Sequence, residues 1–153
     1  MIYVDVSQQV LHHGLKSYPI STAKLGSGSE ENSFKTPLGS HIVTEIIGLD
    51  QPIYTHFMAR KPVGICLPNA WPSIMDQDLI LSRIIRLQGT EPGMNQGPGI
   101  DSFSRMIYIH GTNAERHIGS PASKGCIRML NQDMISLCAN IRIGYHVHIK
   151  ERL

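Results

Sequence analysis

Cysteine is scarce in this chain of 153 residues, which carries only Cys66, Cys126 and Cys138. So sparse and odd a set does not build the disulfide framework of a small secreted scaffold. No run of ~18 apolar residues is present, so neither a spanning helix nor membrane insertion is expected. Charge of one sign is lacking too: 14 Lys and Arg against 12 Asp and Glu leave a net +2. Without an aromatic–basic stripe, that balance gives no reason to expect nucleic acid as a partner. There is no CxxC and no HExxH. The glycine-rich run GSGSEENS at 26–33 lacks the Gly-Lys-Ser/Thr of a phosphate loop. It also lacks the strand–G-x-S-x-G–helix arrangement of a serine hydrolase. The opening residues, MIYVDVSQQVLHHGLKSYPI, show no basic region followed by an apolar run, so they do not read as a Sec signal. Unless an upstream segment precedes them, the expected compartment is the cytosol; with one, it is the periplasm.

What is present reads as globular: 41% hydrophobic and 17% charged residues. The length suits one domain, 1–153, able to bury a core without metal or disulfide help. Ile2, Val4 and Val6 alternate with Tyr3, Asp5 and Ser7, the period of a half-buried strand. Strands are also expected at 18–25, at 41–47 and at 79–87, where Gly89 ends an Ile-rich run. The stretches 26–39, 89–99 and 111–125 read as loops; 89–99 holds four Gly and two Pro. Pro62, Pro68 and Pro72 suggest an irregular connection over 61–72. In 105–111, Met106, Tyr108 and His110 would share one face and Ile107 and Ile109 the other. Residues 131–141 make the best helix, with Asn131 as N-cap, Asp133 in the first turn, and Met134, Leu137, Cys138 and Ile141 as the buried stripe. Tyr145, Val147 and Ile149 point inward from a last strand, and His146 and His148 point out. The result is mainly β, with one or two short helices.

Cys126 stands out by its neighbours. In Ser123-Lys124-Gly125-Cys126-Ile127-Arg128 a thiol follows a glycine and lies between two cations. If the run is extended, Lys124, Cys126 and Arg128 face one side, and the positive charge would favour the thiolate. Gly125 would admit a substrate carbonyl close to the backbone, with adjacent N–H groups as an oxyanion hole. His110, at the end of a strand 16 residues upstream, is the candidate to take and return the thiol's proton.

These residues bring the chain to a family. His110-Gly111-Thr112, then 15 residues between His110 and Cys126, then Ser123-Lys124-Gly125-Cys126-Ile127-Arg128, resembles the signature of the YkuD-type L,D-transpeptidases. VDVSQQVL at 4–11 is similar to the family's opening strand and YPISTAKLG at 18–26 to its second. Thr36-Pro37-Leu38-Gly39 is similar to its Thr-Pro-x-Gly turn. The resemblance implies a β-sandwich-like fold with the cysteine beneath a lid-like loop. It implies attack on the bond between the L-centre of a diamino acid, usually meso-diaminopimelate, and the terminal D-Ala of a peptidoglycan tetrapeptide stem, through a thioester. It makes Cys126 the nucleophile, His110 the acid/base and Gly111 the residue whose carbonyl orients the imidazole. Ser123, Lys124, Gly125 and Arg128 would line the same pocket, with Tyr108 on the face of His110 as a further substrate-binding candidate. Arg128 has the planar fork that suits a substrate carboxylate. The implied partners are stem peptides or muropeptides, and the implied thiol is one that carbapenems acylate. Lys124 departs from the pattern, standing where the family usually has His. His41 departs too, where an aromatic is usual, and there a structural role is expected.

Without export features, water is the favoured acceptor, making the chain an L,D-carboxypeptidase that trims tetrapeptide to tripeptide in murein recycling. Cross-linking transpeptidation is the alternative if the protein is exported. A non-catalytic muropeptide-binding domain, with Lys124 marking lost activity, is a second alternative. A zinc protein is a third, since His12-His13 and His146-x-His148 are short-spaced among eight histidines; neighbouring strand positions face opposite ways, however, and no metal or cofactor is expected. Cys66 and Cys138 read as inert thiols, and His117 as a loop residue with or without a substrate contact.

Overall fold

A computed structural model describes residues 1–153. Its strands are β1 (Ile2–Asp5), β2 (Val10–His13), β3 (Lys16–Ser21), β4 (Gly39–Ile47), β5 (Thr55–Met58), β6 (Lys61–Ile65), β7 (Ile80–Gly89), β8 (Tyr108–Gly111), β9 (Ile127–Met129) and β10 (His146–Lys150), with one α-helix, α1 (Asn131–Cys138). They form one sheet in the order β4-β10-β1-β2-β3-β9-β8-β7-β5-β6, and β4 also pairs with β7. Eight strands therefore close on themselves, with the β5–β6 hairpin attached outside β7. Closure removes the sheet edges of the body and leaves β6 as the free one. Inside, Ile2, Val4, Leu11, Ile20, Ile85, Ile109, Ile127 and Val147 pack into one core. α1 adds Met134, Leu137 and Cys138 to it. No helix is long and apolar enough to cross a membrane.

The mainly β expectation holds, but five segments differ from their sequence patterns. Residues 4–11 are not one strand. The chain reverses after β1 and returns antiparallel as β2. Gln9 makes the turn in the left-handed region, at φ 53°. Its amide is locked by the Val6 carbonyl and by both the hydroxyl and the N–H of Thr22. Residues 61–72 are more regular than their prolines suggest, comprising β6 and a 3-10 helix over Pro68–Ile74. Pro62 is tolerated because β6 is an edge strand.

The strand around His110 starts only at Tyr108, because Met106 lies at φ 57° and breaks the alternation. The loop 111–125 contains a short 3-10 turn, Glu115–His117. The helix ends at Cys138 and takes Leu130 as its N-cap, so Asn131 is its first residue. Asn131 is fully buried and its amide serves tertiary contacts instead. It accepts from Ser82 Oγ at 2.7 Å and donates to the Thr112 carbonyl at 2.8 Å and Glu115 at 2.9 Å. Ile141 lies beyond the helix yet still packs on the core. The strands at 41–47, 79–87 and 145–149 form close to where the patterns place them.

Candidate active site

β8 and β9 run parallel and adjacent, with Ile109 opposite Ile127, His110 opposite Arg128 and Gly111 opposite Met129. This pairing brings the two halves of the motif together. Cys126 immediately precedes β9, and the Tyr108 N–H donates to its sulfur at 3.4 Å. The thiol donates in turn to the Met106 carbonyl at 3.4 Å.

His110 is buried. Its Nδ1 lies 2.6 Å from the Gly111 carbonyl, an acceptor only, so Nδ1 carries the hydrogen. Neutral imidazole then leaves Nε2 as the acceptor nitrogen. Gly111 has no room for a side chain: an added Cβ would stand 2.6 Å from the Leu81 carbonyl and against Asn131 Oδ1. Asn131, buried with Ser82 and Thr112, thus packs beneath the strand end that carries the imidazole.

Burial dominates the electrostatics. The Cys126 thiol is pushed up to about 11 by burial, against the opposing pull of the Tyr108 N–H, Arg105 and Arg128; Asp78 reinforces the rise. Burial also lowers His110 below its ordinary 6.5, with the Gly111 bond and Asp78 raising it and Arg128 lowering it. At neutral pH the thiol of Cys126 is protonated and the imidazole of His110 is neutral. The expected bias toward a resting thiolate is therefore outweighed by desolvation. Such a pair can still react if the proton moves from sulfur to Nε2 as the bond forms.

The run 123–128 is not extended, so Lys124, Cys126 and Arg128 do not share one side. Gly125 turns the chain at φ 132°. Lys124 is exposed, whereas Arg128 is buried and paired with Asp78 at 3.3 Å. A substrate carboxylate would have to displace Asp78 to reach it. Ser123 braces the turn: its hydroxyl donates to the Cys126 carbonyl at 2.6 Å and accepts from the Gly125 N–H at 3.2 Å. That uses the Gly125 donor internally, whereas the Cys126 N–H makes no internal hydrogen bond. Tyr108 is buried, and its hydroxyl accepts from Arg60 at 3.1 Å.

Three residues that carried no site signal in the sequence complete the surroundings. Thr36, fully buried, donates to the Gly125 carbonyl at 2.8 Å and accepts from the Ala23 N–H at 2.9 Å. The Thr-Pro-x-Gly turn thereby supports the cysteine turn. Arg105 ties down the 28–35 loop, most closely through the Lys35 carbonyl at 2.7 Å. Asp78 arrives from the segment before β7. Cys126 and Lys124 line a cavity of about 240 Å³ with Phe34, Arg105 and Met106. A second cavity, about 450 Å³ and lined by no large apolar side chain, shares Glu31, Ser104 and Arg105 with the first and reaches Gly97–Gly99.

Other candidates lie elsewhere. Cys138 is in the core, its thiol pushed up to about 12 by burial. His41 is fully buried, with Nδ1 on the Gly39 carbonyl and Nε2 on Ser102 Oγ. His117 is exposed. No three His, Cys, Asp or Glu side chains are grouped to hold a metal ion.

The L,D-transpeptidase catalytic domain family, YkuD, matches residues 1–149. The chain belongs to the YkuD family. The Bacillus subtilis (strain 168) protein YkuD, an L,D-transpeptidase by name, is 49% identical over 49 residues, 31% of this chain and 30% of that protein. The structure of Mycobacterium tuberculosis L,D-transpeptidase 3 with a faropenem-derived adduct superposes with a TM-score of 0.56 at 18% identity, over 98% of this chain and 59% of that one. The L,D-transpeptidase LdtMt1 bound to imipenem gives a TM-score of 0.53 at 13% identity, over 97% of this chain and 57% of that one. These likenesses establish the YkuD fold. The chain spans less than two thirds of these relatives' lengths.

Proposed function

We propose that this YkuD domain is a cysteine acyl-transfer enzyme cleaving the L-centre–D-Ala bond of peptidoglycan tetrapeptide stems. The observation that carries the reading is the His110 tautomer: Nδ1–H is held by the Gly111 carbonyl, so Nε2 is the basic nitrogen on the strand beside Cys126. The thiol proton passes to Nε2 as sulfur attacks the carbonyl carbon of the L-centre. The Cys126 N–H meets the developing oxyanion. Imidazolium returns the proton to the departing nitrogen, D-Ala leaves, and a thioester remains on Cys126.

Water resolving that thioester would give the tripeptide, an L,D-carboxypeptidase reaction and the favoured reading; Cys126 is half-buried and borders a cavity open to water. With it goes a role on soluble muropeptides in the cytosol. The second reading, cross-linking in the periplasm, draws on the adjoining cavity, where Glu31 and Asp101 would face an amine-bearing second stem.

The experiment is D-Ala release from a disaccharide tetrapeptide, followed by mass spectrometry with and without excess amine acceptor, beside Cys126→Ala. Tripeptide from the unaltered protein alone supports the carboxypeptidase; a dominant cross-linked product supports transpeptidation. Binding without release, indifferent to Cys126→Ala, would leave a muropeptide-binding domain. A carbapenem mass adduct that persists in Cys126→Ala would refute the assignment of the thiol.

A further inference from the structure

Asp78 belongs to none of the sequence motifs, yet it is fixed against the reaction centre from two sides. It lies between the 3-10 helix Pro68–Ile74 and β7. One buried side chain, Asn113, holds that segment. Its Oδ1 accepts from the Leu79 N–H at 3.0 Å, and its Nδ2 donates to the carbonyls of Gln77 at 2.9 Å and Ile74 at 3.2 Å. Asn113 follows His110 by three residues, so the turn presenting Asp78 is tied to the end of the strand presenting the imidazole. On its other side the Asp78 carboxylate meets Arg128 Nη1 at 3.3 Å.

Arg128 stands opposite His110 in the β8–β9 ladder and is only 4% exposed. Its other contacts are few: Nη2 reaches Ser21 Oγ at 3.5 Å, and Nε has no partner. A buried guanidinium so poorly satisfied depends on its counter-charge. It also stands where a positive charge opposes formation of imidazolium. The group bonded to His110 Nδ1 is a neutral carbonyl rather than a carboxylate.

We propose that Asp78 is a positioning residue of the reaction centre: it anchors Arg128 beside His110 and supplies the negative charge that sustains the imidazolium formed when His110 takes the Cys126 proton. This rests on the Cys126–His110 reading above. The charged groups facing the pair are few. Asp78 and Arg128 act on His110 in opposite senses, and Asp78 opposes Arg105 and Arg128 at Cys126. Removing the Asp78 charge should therefore lower both titrations.

The test is Asp78→Asn in the full chain, read without substrate. His110 protonation is followed by NMR in a Cys126→Ser background, and Cys126 alkylation by iodoacetamide is followed against pH in the native-thiol background. Both midpoints should fall, by ~0.5–1 on the pH scale, and return in Asp78→Glu. The kcat for D-Ala release should drop more than KM changes. If Asp78→Asn does not fold, Arg128→Met against Asp78→Asn/Arg128→Met isolates the same charge without a stranded cation, and the double variant should titrate lower at His110. Unchanged midpoints, even with turnover lost, would overturn the proposal. Lowered midpoints in a protein that never releases D-Ala would support the role of Asp78 and count against the stem-peptide reading instead.

Discussion

His41 and His110 occupy different parts of the closed sheet and share nearly everything that burial confers. Both are enclosed, both donate Nδ1–H to a backbone carbonyl, and both are lowered from the ordinary imidazole value. They differ at the second nitrogen. His41 Nε2 is bonded to Ser102 Oγ at 2.9 Å, so its hydrogen-bonding capacity is filled. His110 is bonded through Nδ1 alone, and its strand lies beside the one that Cys126 leads into. The cysteines repeat the lesson: burial raises both, but Cys138 faces only core and Cys126 borders a cavity. A shifted pKa by itself marks burial; a shifted group that also borders a cavity, as Cys126 does, marks a candidate site.

The sharpest way to test this contrast is at the thiols. Cys126→Ala should abolish D-Ala release in the mass-spectrometric assay, while Cys138→Ala should keep it. Comparable loss in both would remove the distinction. At the imidazoles, His110→Ala should lower kcat by ~10²–10⁴-fold, the range of a general acid/base, and His41→Gln should leave kcat near normal. Steady-state kinetics on protein verified as folded decides between them.

The third test is acid stability. His41 falls from 6.5 to about 4 in the folded chain. Its folded value lies below its unfolded one, so the unfolded chain takes up the proton first as pH falls. The stabilisation is complete above 6.5, erodes toward 4, and is gone below that. The loss attributable to His41 is ~3 kcal/mol. Chemical denaturation at pH 7.5 and 4 should show it, and His41→Gln should flatten that part of the profile. A smaller effect is expected at Gly111→Ala, where a Cβ would meet the Leu81 carbonyl. A stability loss of ~1–3 kcal/mol, seen as a lower denaturation midpoint, should accompany a displaced His110.

Much of the candidate site was legible because it is written locally. Cys126 with its Gly and Ser neighbours, and His110 followed by Gly111, are short runs whose residue types already state a chemistry. Strands with one buried face were legible for the same reason, since Val147 alternates with His146 and His148 on the chain itself. β6 was not, because all five of its residues are exposed and an edge strand carries no alternation. The reversal at Gln9 was not, because a left-handed glutamine is held by Thr22, 13 residues away. Arg105 and Asp78 escaped for a related reason: each acts through partners distant in sequence, the 28–35 loop and Arg128.

Residue identity alone states which atoms carry reactive chemistry, because a thiol, an imidazole and a glycine keep that chemistry wherever they fold. It also determined the family, whose match runs over residues 1–149, through ordered short motifs. The charge state and the company of those atoms come from folding. The run 123–128 looks cationic on paper, yet its thiol is protonated in the fold. Burial depends on what packs around a group, and neither Asp78 against Arg128 nor the desolvation of Cys126 exists until the parallel β8–β9 pairing has formed.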